Sequence, residues 1–112
     1  MPKISRWILE PKTEKELLDQ LWTSIGLLKN KGEIVDFLKG LLMPSESLML
    51  AKRIAMVKLQ DANPKLSFTE IRKLLHITRV TAYRWKERYG LYRKEFKIII
   101  DRLMDLEKKL SK

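Results

Sequence analysis

Four basic side chains, Arg79, Arg84, Lys86 and Arg88, crowd one short stretch together with Val80, Thr81, Tyr83 and Trp85. Guanidinium and ammonium groups donate to phosphate oxygens, and an arginine also matches the O6/N7 edge of guanine bidentately. Valine and the threonine methyl suit contact with a thymine methyl. Little else in the chain offers chemistry. There is no Cys and a single His, His76, which removes disulfide frameworks, thiolate sites, thiol nucleophiles and histidine metal sites. Asp101 and Asp105 stand four apart on a charged helix, the pattern of a solvated face, and no phosphate-cradling glycine loop or nucleophile–base set occurs. The expectation is a binding protein with no catalytic residue, metal or cofactor.

The elements that must position these groups are legible in "KLSFTEIRKLLHITRVTAYRWKERYG", residues 65–90. Ser67-Phe68-Thr69-Glu70 has the form of a capping box, which starts a short helix with Ile71, Leu74 and Leu75 as its buried face. Thr78 is a good N-cap for a second helix beginning at Arg79. Ile77 plugs the corner between them, and Ala82 and Trp85 face inward. His76 occupies the turn position where glycine is usual because the backbone tends to a positive φ. The spacing predicts a helix-turn-helix over 67–89. Its N-terminal residues on the second helix, Arg79, Val80 and Thr81, with Tyr83, are expected to contact bases, since these meet base edges when such a helix lies in the major groove. Ser67, Thr69, Thr78, Arg84, Lys86 and Arg88 are expected to contact phosphates, as Thr81 and Tyr83 can too.

Charge supports the same reading. Residues 1–64 carry 10 Lys and Arg against 8 Asp and Glu, a net of +2, whereas residues 65–112 carry 14 against 6, a net of +8. Such asymmetry points to a polyanion, nucleic acid before an anionic membrane surface.

Along the rest of the chain, 112 residues suffice for one domain with one modest core. Residues 1–12 read as an N-terminal arm with Trp7, Ile8 and Leu9 as an anchor. From Thr13, a cap with Glu16 three places on, Leu17, Leu21, Ile25 and Leu28 recur at helical spacing. Gly32 marks a break before a helix at 33–42. Pro44 suits the first turn of a third helix with Leu48, Ala51, Ile54 or Ala55, and Leu59 as its inner stripe, ended by Pro64. Over 93–110, Phe96, Ile99, Leu103, Leu106 and Leu110 form a seam of heptad period, too short to stand alone as a coiled coil. No segment approaches the length of a membrane span and the N-terminal apolar run is too short for a secretory signal, so the expected compartment is the cytoplasm.

"LLMPSESLMLAKRIAMVKLQ" (41–60) followed by "LSFTEIRKLLHITRVTAYR" (66–84) resembles the core of the Trp repressor-like family of bacterial regulators. The most specific part is Leu42-x-Pro44-x-Glu46, then Ala51-Lys52-Arg53, then the helix-turn-helix at a nearly fixed distance. The resemblance covers roughly residues 14–90. It implies an all-α, intertwined homodimer of about six helices, with 14–60 as dimerisation helices and two recognition helices presented to successive major grooves of a palindromic operator. It implies a dimeric repressor binding double-stranded DNA. In tryptophan-binding members two arginines sandwich the corepressor indole, and Arg53 and Arg84 fall on the matching positions. Trp85 stands where those members have glycine, Met43 where they have threonine, and "DANPK" is slightly longer. Trp85 thus suggests a built-in substitute for the ligand, and otherwise Arg84 contacts phosphate while Arg53 pairs with Glu46 or Glu70. Three other readings compete: a tryptophan- or indole-dependent repressor with Arg53 and Arg84 as its corepressor site, a helix-turn-helix subunit of a mobile-element transposase, and a protein-interaction module built on Trp7, Trp22 and the C-terminal seam.

Overall fold

Proline, asparagine, serine and threonine decide where the first five described helices begin. The computed structural model describes residues 9–110, and the expected anchor residues Trp7 and Ile8 lie outside them. Among the described residues every regular element is a helix: α1 (Pro11–Gly26), α2 (Lys31–Leu41), α3 (Pro44–Ala62), α4 (Phe68–Leu75), α5 (Arg79–Leu91) and α6 (Arg93–Leu110). The all-α expectation holds, and among the described residues no helix is long and apolar enough to cross a membrane.

The chain divides into two units, residues 1–43 and 44–112. In the first, α1 starts earlier than the sequence suggests. Pro11 takes the first turn, where its missing N–H costs nothing, and Glu10 rather than Thr13 precedes the helix in extended conformation. The arm therefore ends at Glu10. Asn30 caps α2 by accepting from the Glu33 N–H at 2.9 Å, so Gly32, expected as the break, lies inside the first turn. Neither α1 nor α2 contains a buried residue. Leu17, Leu18, Trp22, Ile25, Ile34 and Val35 are all exposed, Trp22 to 60%.

In the second unit α3 is the spine: α4 and α6 pack against it, and α5 packs against α6. Met56 of α3, Ile71 of α4, Ile77 of the turn, and Ala82 and Trp85 of α5 form one buried cluster, ringed by Leu59, Leu66, Phe68 and Leu75. Val57 and Ile100 are also buried. The inner stripe of α3 therefore centres on Met56 and Val57. The expected Leu48 and Ile54 are exposed, because partners grip α3 from two sides instead of along one line. Leu74, expected in the core, is 62% exposed. Of the expected seam of α6, Phe96 and Leu103 are half-buried, joined by the buried Ile100 and half-buried Met104, while Ile99, Leu106 and Leu110 stay exposed. An ion pair from Lys58 to Glu107 and a hydrogen bond from the Tyr89 hydroxyl to Asp61 Oδ1, at 3.2 Å, fasten α6 and α5 to α3.

The corner between α4 and α5 is built as its residues dictate. Ser67 Oγ accepts from the Glu70 N–H at 3.1 Å, and the Glu70 carboxylate accepts from the Ser67 N–H, completing the capping box. At the other end of α4, His76 is left-handed, with φ 54° and ψ 51°. Its N–H bonds the Lys73 carbonyl, and the Ile77 N–H bonds the Arg72 carbonyl. This is the Schellman arrangement, with Ile77 folding back on Ile71 as its apolar contact. Lys52 Nζ donates to the His76 carbonyl at 3.3 Å, holding the turn against α3. His76 is the one non-glycine residue with positive φ among those described. Replacing it by glycine, His76→Gly, removes the Cβ strain of the left-handed region and should raise unfolding stability by about 0.5–1 kcal/mol. The check is an upward shift of the urea midpoint with an unchanged slope.

Candidate nucleic-acid interface

Burial of Ala82 and Trp85 fixes the rotation of α5 about its axis, and the remaining positions sort themselves around that buried line. Thr78 caps the helix by accepting from the Thr81 N–H at 3.2 Å, and its hydroxyl donates to Thr81 Oγ1 at 3.0 Å. The first turn of α5 is thereby anchored, with Arg79 and Val80 pointing into solvent, Val80 61% exposed. Thr81 is half-buried and its hydroxyl is engaged by the cap, which leaves its methyl as the part able to meet a base.

One flank of α5 is steadied by Phe68, the first residue of α4. The Tyr83 ring lies 5.1 Å from the Phe68 ring, and the Lys86 ammonium sits 5.0 Å above it. On the other flank the Arg88 guanidinium lies 4.9 Å from the Tyr92 ring centre. These cation–π contacts hold the charged groups in place while leaving them exposed, since Lys86 and Arg88 remain at the surface. Arg79 and Arg84 are exposed and make no ion pair among the described residues. Ser67 and Thr78, expected at phosphates, carry out capping with their side-chain oxygens, whereas Thr69 is exposed beside Ser67. Between Ser67 and Leu91 there are six basic residues against two acidic ones. Of the two, Glu70 is tied into the capping box, so the outer surface of the corner is strongly cationic.

Within a single chain, Arg53 and Arg84 do not line one common cleft. Arg53 stacks on the Trp85 ring at 5.2 Å. Behind that stack a cleft of about 460 Å³ opens between α3, α5 and α6, walled by Ile54, Met56, Val57, Phe96, Ile99 and Ile100. Arg53 lines it and Arg84 does not. Among the described residues no group of acidic or histidine side chains could hold a metal ion.

Phe68 as a platform for Tyr83 and Lys86, and Lys52 as the clasp on the turn, are missed by sequence reasoning. Both contacts join separate elements, and no local spacing signals them. The chain matches no family model, no curated protein and no solved structure.

Trp85 is the residue on which the orientation of α5 turns. Trp85→Ala should lower unfolding stability by about 3–5 kcal/mol. Arg53→Ala, which removes only an exposed stack on the same ring, should cost at most about 1 kcal/mol. Paired denaturant titrations measure both, and equal losses would show that the ring contributes no more than its cationic cover.

Proposed function

We propose that this chain is a sequence-specific double-stranded DNA-binding transcriptional regulator, acting as a dimeric repressor with α5 as the recognition element of a helix-turn-helix. One observation carries the reading. A helix seated by Ala82 and Trp85 turns free, exposed Arg84 to solvent on its opposite face and free, exposed Arg79 on its flank, from a corner rigidified at both caps. Phosphate contacts from the flanking Lys86 and Arg88 would position the helix, and the first turn would meet base edges.

The homodimer is supported by α1 and α2. Helices without a single buried residue are not stable alone in water, and their exposed leucine, isoleucine and tryptophan side chains need a partner surface. A second copy supplies that cover and duplicates α5. Its two copies would read half-sites about 10 bp apart. The family likeness at 41–60 and 66–84 agrees with this assembly, and membership of the Trp repressor-like regulators is part of the same proposal.

Trp85 beneath Arg53 stands where the likeness would place a corepressor indole. The regulator we propose therefore sets its helix angle with its own side chain and needs no tryptophan. Calorimetry with L-tryptophan should give no heat of binding in the micromolar range, and a saturable micromolar isotherm would refute the substitution.

Duplex binding separates the roles on α5. Selection from a random duplex pool should return a palindrome bound by two chains. Arg79→Ala should then lose about 1–3 kcal/mol of discrimination at one base pair, while Lys86→Ala should weaken all duplexes alike and flatten the salt dependence by about one phosphate. Absence of any duplex shift at low salt would eliminate the proposal and favour a protein-interaction module.

A further inference from the structure

Glu87 is the anomaly on the cationic corner. It is exposed and makes no ion pair or hydrogen bond among the described residues, although Arg84, Lys86 and Arg88 are its close neighbours in the helix. At about 100° per residue it lies ~140° around the axis from Ala82 and ~160° from Trp85. That places it at the centre of the outward face, in one row with Val80 and Arg84. Tyr83 and Lys86 form the flank that leans on Phe68, and Arg79 lies on the same side of the helix.

A carboxylate at that centre repels phosphate and is an acceptor only. DNA offers such a group few donors. In the major groove they are the exocyclic amines, and cytosine N4 is the one a carboxylate pairs with, because adenine sets its N7 acceptor beside its amine. We propose that Val80, Arg84 and Glu87 form a further base-reading row of α5, beside Arg79, with Glu87 accepting from cytosine N4 and Arg84 donating to a guanine one step away. The rise from Arg84 to Glu87 is about 4.5 Å and that from Val80 to Arg84 about 6 Å, against ~3.4 Å per base pair. The row therefore spans about three base-pair steps, or about four consecutive pairs, beginning at a thymine methyl under Val80. Arg84 becomes a base contact here, where the sequence alone suggests phosphate. This inference rests on the DNA-binding reading and names what that face selects.

The test is selection from a random duplex pool by the full chain and by its Glu87→Gln and Arg84→Ala variants, each verified as folded by circular dichroism. The wild type should enrich a cytosine in each half-site, adjacent to the guanine whose preference disappears in Arg84→Ala. In Glu87→Gln the preference for that cytosine should fall tenfold or more, while affinity for unrelated duplex rises because a charge opposed to phosphate is gone. Wild type and Glu87→Gln selecting identical base frequencies, or any base other than cytosine proving sensitive to Glu87, would overturn the inference and leave DNA binding standing. A wild-type chain that enriches no duplex would remove both.

Discussion

Trp85 has to be buried while the residues on either side of it stay in water, and that demand orders the second unit of the chain. The indole reaches the space between α3 and α5 only if α5 presents one line, Ala82 and Trp85, to Met56, Ile71 and Ile77. Once that line is set, every other position on α5 has its direction. Turning the helix by a single residue would drive a charged group into the cluster, at a cost far above the stability of a domain this small. The left-handed turn at His76 serves the same requirement, since Ile77 can plug the corner only where the chain reverses sharply after α4.

The core that enforces this is small. Among the described residues seven hydrophobic ones are buried, and they lie between Met56 and Ile100. Polar fastenings supplement them at the surface, where ion pairs and hydroxyl contacts are individually weak. The cation–π contacts of Arg53, Lys86, Arg88 and Arg93 with aromatic rings are of another kind, because each covers apolar ring surface while keeping its charge at the solvent. The fold thus covers aromatic groups with the same side chains that give its outer face its sign.

What the sequence made legible was local. The capping box at Ser67, the Thr78 cap, the left-handed backbone at His76 and the inward Ala82 and Trp85 all follow from groups within a few residues of one another. The start of α1 misled because Thr13 and Pro11 are both credible, and proline has its φ fixed beforehand. The inner lines of α3 and α6 were not readable in the same way. Both helices are apolar on more than one side, and which side is covered depends on partners distant in the chain. For the site, the exposed arginines were evident from spacing, whereas the aromatic platforms under Lys86 and Arg88 required Phe68 and Tyr92 to be brought beside α5 by packing. Glu87 was passed over because a lone acid among arginines reads as an ordinary surface charge until its neighbours prove to be engaged elsewhere or unpaired.

The excess of six basic residues over two acidic ones along α4 and α5 has a consequence before any contact forms. The field of such a surface reaches about one Debye length, roughly 8 Å at physiological ionic strength. Within that distance a tumbling molecule approaching a polyanion experiences a torque that turns this side forward. Encounters are then filtered by orientation during diffusion, so added electrolyte slows arrival more than it hastens departure.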